Sequence, residues 1–283
     1  MISRPCSIRR FITEMVLKFR LLSLLVLGIA AAIALAASSQ QPVDGFIARN
    51  YTDSKGATMP YRLFIPRAYD ASQSYPLIVY LHGGVGNGSD NLKQISEGNI
   101  NGSHVWTSKN AQSRHPVFVL APQAPDGATW GGPEASELSA AAQTMLEITE
   151  SLQREFNIDK ARLYLTGQSL GGFGTWDVII RRPNLFAAAV PLCGSGIVNQ
   201  SPFRRVYSSA EFERVKNMPI WVFQGADDRD VPADGPRKTV ATLREIGSKV
   251  RYTEYAGVGH RVWEHAYLEP GLIDWLFAQR TSR

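Results

Sequence analysis

"LYLTGQSLGGFGTW", Leu163 to Trp176, is the stretch on which the reading of this chain turns. An apolar run ends at Gly167, a serine follows two residues later at Ser169, and Gly171, Gly172 and Gly174 come within the next five positions. "ARLYLTG" (161–167) predicts a buried strand, and a helix is predicted from Leu170 to about Arg182, where Pro183 stops it. A G-x-S-x-G motif alone is weak, since a chain of this length can carry one by chance. Placed between a strand and a helix, it has the context of a nucleophile elbow. In such a turn the serine backbone is held in a sparsely populated conformation. Glycines flank it because a Cβ at either place would meet the neighbouring chain. The first N–H groups of the helix then face any negative charge that develops at the serine. The alternative is a tight turn with no further chemistry.

A serine hydroxyl needs a base to become a nucleophile. For a serine placed in this way the expected chain order is Ser, then Asp or Glu, then His. His82, His104 and His115 all precede Ser169. His260 closes "YAGVGH", directly after the last predicted strand, and is the expected base; His265 falls inside the predicted last helix as an exposed or capping residue. The acid is expected after "PIWVFQG" (219–225), where "ADDRDVP" offers Asp227, Asp228 and Asp230. Residue chemistry leaves these three open, because any of them can instead order the loop through Asx turns. An oxyanion hole needs two backbone donors. Leu170 N–H supplies one, and the glycine-rich "LHGGVGNGSDN" (81–91) supplies the other at Gly84. That loop matches neither phosphate-binding glycine pattern. His82 is expected to hold it structurally.

The rest of the chain alternates in the same way. "FIARNYT" (46–52) and "PYRLFIP" (60–66) predict an antiparallel hairpin, and "PLIVYLH" (76–82) and "PVFVLAP" (116–122) predict buried parallel strands. Residues 134–157 keep a helical spacing, and "AAAVPLC" (187–193), 219–225 and "VRYTEYA" (250–256) are further strands. Helices are predicted near 234–247 and 262–280. Such alternation implies an α/β domain with a mostly parallel sheet of about eight strands and helices on both faces. Residues 194–218 form the largest irregular insertion, read as a small cap or a crossover with one short helix.

The N-terminal segment stands apart from this pattern. Arg9, Arg10, Lys18 and Arg20 precede "LLSLLVLGIAAAIALAASS", which reads as a secretory signal peptide over residues 1–36, with Met15 as an alternative start. The competing reading is an uncleaved anchor, for which 21–37 is slightly short. The expected arrangement is therefore a signal over 1–36 and a single catalytic domain over 37–283, exported to the periplasm or the medium and without stable membrane association. The segment 1–36 holds five of the chain's 30 basic residues and one of its 25 acidic ones. The remainder is nearly neutral, so the basic balance of the whole chain is no argument for a nucleic-acid partner. Of the two cysteines, Cys6 lies in the signal and Cys193 in an apolar strand, where it is expected to be a core residue. No metal-binding spacing is present, so neither a metal nor a cofactor is expected.

Taken together, "YRLFIP", "YPLIVYLHGGVGNGSDN", "VLAPQAP", "LYLTGQSLGGFGTW", "RRPNLFAAAVPLCG", "WVFQGADDRDVP" and "YAGVGH" resemble the α/β-hydrolase superfamily. Within it the chain is similar to the secreted single-domain esterases that group with feruloyl and acetylxylan esterases and polyhydroxybutyrate depolymerases, over about residues 58 to 278. The resemblance implies an acid three residues before the Val-Pro pair, which is Asp228, and a tryptophan at the rim of the site, which is Trp130. It implies a serine carboxylesterase acting on short-acyl or aryl esters, either small molecules or esters linked to polysaccharide. The alternatives are a serine peptidase of the prolyl-oligopeptidase type, without the propeller domain that usually accompanies one, and an inactive hydrolase fold used for binding.

Overall fold

Strands and helices alternate from Phe46 onward in the computed structural model, which describes residues 41–131, 137–200 and 203–281. The elements in chain order are β1 (Phe46–Thr52), β2 (Thr58–Phe64), β3 (Tyr75–Leu81), α1 (Ile100–His104), α2 (Lys109–Arg114), β4 (Phe118–Pro122), α3 (Ala140–Glu155), β5 (Ile158–Gln168) and α4 (Leu170–Arg181). They continue with β6 (Ala188–Leu192), β7 (Ile197–Gln200), β8 (Phe203–Val206), α5 (Ser209–Phe212), β9 (Trp221–Gly225), α6 (Asp234–Glu245), β10 (Arg251–Tyr255), α7 (Trp263–Ala266) and α8 (Leu272–Phe277). Eight strands form one sheet in the order β1-β2-β4-β3-β5-β6-β9-β10. Only the β1–β2 and β2–β4 pairings are antiparallel. The mostly parallel α/β sheet expected from the apolar runs is therefore present.

Strand periodicity divides the core between the two faces of this sheet. Along β3, Leu77, Val79 and Leu81 join one apolar cluster while Ile78 and Tyr80 join the other. The first cluster is filled by α3 (Met145, Ile148, Leu152), by α4 (Trp176, Ile179) and by α6 (Val240, Leu243). The second takes Trp106, Trp263, Tyr267, Leu272 and Leu276. Helices thus cover both faces, which is why β3, β4 and β6 are buried at every position. The parallel strands all end on one side of the sheet, and the loops that leave β3, β5, β9 and β10 there carry the residues singled out above.

Element boundaries moved in three places. The helix expected over 262–280 is two short helices, because Pro270 lacks an N–H and Gly271 takes φ 80°, a conformation that favours glycine. The helix expected over 134–157 begins at Ala140, where Ser139 Oγ accepts the N–H of Ala142 as a cap; residues 134–136 lie outside the described residues. The 194–218 insertion holds the β7–β8 hairpin and α5, and it docks on the first cluster by setting Phe212 edge-on against Trp176. Residues 42–283 form one compact unit. The signal segment 1–36 lies outside the described residues. Among the described residues no helix is long and apolar enough to cross a membrane.

Candidate active site

Ser169 sits at the single residue between β5 and α4, with φ 52° and ψ −115°. Two glycines make that turn possible. A Cβ on Gly171 would lie 2.0 Å from Leu81 O, and one on Gly167 would lie 2.4 Å from Gly171 O. Both distances are far inside van der Waals contact, so the helix can approach the strand this closely only where no side chain intervenes. The Ser169 N–H is held by Leu192 O at 3.0 Å and by Cys193 Sγ at 3.2 Å.

The loop after β10 delivers His260, and the loop after β9 delivers Asp228. His260 Nε2 lies 2.9 Å from Ser169 Oγ, and His260 Nδ1 lies 2.9 Å from Asp228 Oδ2. The Asp228 side chain is fully buried. Its Oδ1 accepts the N–H groups of Asp230 and Val231 at 2.9 and 2.8 Å, and its Oδ2 also accepts from Gln224 Nε2 at 3.2 Å. The three acids left open by residue chemistry are thus separated: Asp227 and Asp230 are exposed, and only Asp228 meets the imidazole. A buried carboxylate can only accept, so Nδ1 carries the ring proton and the Nε2 lone pair is left facing the serine hydroxyl. His265 lies in α7, away from this line, with its ring beside Tyr255.

The turns that carry the expected donors adjoin the serine. A Cβ built on Gly83 would lie 3.7 Å from Ser169 Cβ, so the Gly83–Gly84 turn borders the serine. Gly83 N–H is committed to Asn99 Oδ1 at 3.0 Å, which leaves Gly84, the first residue of a 3₁₀ turn, with its N–H free of any acceptor among the described residues. Leu170 N–H, at the start of α4, is likewise uncommitted. His82 anchors the loop from inside. Its Nδ1 donates to Gly83 O at 2.7 Å and its Nε2 accepts from Ala124 N–H at 3.0 Å. Burial pushes its pKa down to about 4, so the ring is neutral.

Trp130 is not at the rim. It is fully buried, donates its indole N–H to His82 O at 3.1 Å, and stands edge-on to the His82 ring. Gly174 on α4 leaves the space it fills, since a Cβ there would lie 2.2 Å from Trp130 Cβ. Its physical role is to pack beneath the glycine loop, and the expectation that it offers a face to substrate is corrected. The aromatic ring beside the site is Trp263, edge-on to His260 with centroids 5.4 Å apart. Between it and the exposed Val85 lies Gly98: a Cβ there would be 4.0 Å from Trp263 and 3.9 Å from Val85. Residue patterns alone missed Val85, Gly98 and Trp263. The only available signal was the position of Trp263, three residues after His260.

Among the described residues the one group with metal-ligand chemistry is Cys193, Asp228 and His260, whose donor atoms lie within 4.8 Å of one another. Two of its members are already bonded to each other, and burial raises the Cys193 thiol well above its ordinary pKa, keeping it protonated. What the arrangement offers chemically is a hydroxyl on a strained turn, an imidazole in contact with it, a carboxylate behind the imidazole, and uncommitted N–H groups at Leu170 and on the adjoining glycine turn.

A family model described as "Putative esterase" matches residues 52–275. The ferri-bacillibactin esterase BesA of Bacillus subtilis (strain 168) is 26% identical over 168 residues, 53% of this chain and 57% of that one. A bifunctional acetylxylan esterase/xylanase of Neocallimastix patriciarum is 24% identical over 157 residues, 55% of this chain and 21% of that one. Among solved structures, a thermostable esterase is 38% identical with a TM-score of 0.76, covering 84% of this chain and 64% of its own. The chain therefore spans less than two thirds of each of these relatives.

Proposed function

The chain belongs to the esterase family whose model it matches, and from that premise we propose that it is a serine hydrolase of carboxylic esters. The observation that carries the reading is the unbroken line Asp228–His260–Ser169, with 2.9 Å at both links. His260 Nε2 takes the Ser169 proton as Oγ attacks the ester carbonyl, and the carbonyl π electrons move onto oxygen. The resulting oxyanion is received by the N–H groups of Gly84 and Leu170. Collapse of the tetrahedral intermediate expels the alcohol, which leaves with the proton from His260, and an acyl-Ser169 ester remains. Water then repeats the sequence, with His260 as its base, to release the acid and restore Ser169. Asp228 holds the imidazole in the productive tautomer and stabilises its transient positive charge.

The substrate is proposed to be a short-acyl or aryl ester, free or attached to a polysaccharide. Support for this comes from the surroundings of Ser169. The His260 side chain is 20% exposed, so the reacting groups lie near the surface rather than at the end of a tunnel. The exposed Val85 on the glycine loop offers an apolar contact that suits a small or flat group. Residues 1–36, basic and then apolar, support export of a single catalytic domain. The test is a panel of p-nitrophenyl esters from acetyl to dodecanoyl, together with methyl ferulate and an aminoacyl anilide. The expected result is kcat/KM highest for acetyl to butyryl or for the aryl ester, falling by decanoyl. A preference for dodecanoyl removes the substrate reading, and turnover of the anilide alone removes the esterase reading.

A further inference from the structure

Asn99 lies 70 residues before Ser169 and is fully buried beneath the glycine loop. Two backbone groups fix its carboxamide: Oδ1 accepts Gly83 N–H at 3.0 Å, and Nδ2 donates to Lys93 O at 2.9 Å. The donor and the acceptor differ in kind, so only one orientation of the amide satisfies both. Its Oδ1 also faces the Tyr80 hydroxyl at 3.2 Å, and that hydroxyl lies 3.0 Å from Gln168 Oε1. Gln168, the residue immediately before the nucleophile turn, donates from Nε2 to Gly98 O at 2.7 Å. Tyr80, Asn99 and Gln168 are each at most 1% exposed. A closed polar belt thus joins the glycine loop, the 97–99 turn and the residue before Ser169. In such a site a buried polar group is retained at a desolvation cost that only complete pairing offsets.

The consequence falls on the neighbouring peptide. Gly83 and Gly84 have no side chains to restrict their backbone, so something else must choose which way their N–H groups point. Asn99 takes the Gly83 N–H, and the following N–H, that of Gly84, is the one left without an acceptor among the described residues. We propose that Asn99 is a positioning residue of the oxyanion hole, and that the Tyr80–Gln168 belt keeps this loop in register with the nucleophile. This rests on the ester-hydrolase reading above, because it assigns a means of aiming one of that reading's two donors.

The test is Asn99→Leu, which removes the acceptor at similar volume. With p-nitrophenyl acetate, kcat is expected to fall about 10²-fold, the loss typical of one oxyanion donor, while KM stays within about threefold. A trifluoromethyl ketone forms a tetrahedral adduct bearing the same oxyanion, so its Ki should rise by the same factor as kcat/KM falls. Binding of the corresponding secondary alcohol, which has no carbonyl to attack, should not change. A merely structural role would weaken all three ligands together. If Asn99→Leu does not fold, Asn99→Ser, whose side chain is too short to reach Gly83 N–H, takes its place with the same expected pattern. A folded variant with wild-type kcat, or one whose loss lies in KM and in alcohol binding, overturns the proposal. Failure of the ester-hydrolase reading itself would show separately, as a wild-type chain that neither hydrolyses the ester nor binds the ketone.

Discussion

At Ser169 the backbone is held at φ 52°, where a side chain costs on the order of 1–3 kcal/mol. The strain persists because the N–H is pinned from below by Leu192 O and Cys193 Sγ, and because α4 starts at the next residue. Ser169 and His260 were legible from type, chain order and turn context. Asp228 was not legible on chemistry alone, because three carboxylates within four residues are equivalent on paper; burial and the direction of the β9 loop separate them. His82 gives the residue scale its own prediction. Its folded pKa of about 4 lies below the ordinary value of 6.5. The neutral form is the one the fold favours, so the stability His82 contributes is complete above pH 6.5. It declines as pH falls toward 4, by about 3 kcal/mol in all. The urea midpoint should therefore drop between pH 6.5 and 4, and His82→Gln should flatten that part of the curve. An unchanged slope in the variant would show that His82 is not the group responsible.

At the scale of elements, continuous apolar runs were enough to place the central strands β3, β4 and β6, because a strand buried on both faces has no polar alternation to hide it. The last helix was less legible. Its apolar residues continue on both sides of Pro270-Gly271, where the missing N–H of proline and the positive φ of glycine break the pattern into α7 and α8. The junction of β3, β5 and α4 is the tightest of these contacts and the one that positions the serine. Gly171→Ala would put a methyl group 2.0 Å from Leu81 O, so α4 must move away from β3. The expected cost is about 3 kcal/mol or more, at the upper end for overpacking, because backbone rather than a flexible side chain stands in the way. Chemical denaturation should show it as a lowered midpoint with an unchanged slope. A wild-type midpoint would mean that the contact between helix and strand is not a tight one.

At the scale of the whole molecule, the loops after β3, β5, β9 and β10 meet at one end of the sheet and bring together residues from 83 to 260. Local patterns foretold this convergence only for residues that stand in a motif. Asn99 stands in none, and its role depends on a contact with Gly83 that no spacing encodes. Trp130 stands in a recognisable segment, yet its indole points inward to His82 O, because Gly174 on a distant helix leaves room for it. The central claim is that this convergence makes Ser169 a nucleophile driven by His260. Its most direct test is tryptic mass spectrometry after brief exposure of the protein to a fluorophosphonate, which phosphonylates an activated serine and releases fluoride. The account predicts an adduct on the peptide carrying Ser169, absent in Ser169→Ala and slowed by orders of magnitude in His260→Ala. An unlabelled Ser169, an adduct on a different serine, or equal labelling rates with and without His260 would contradict it.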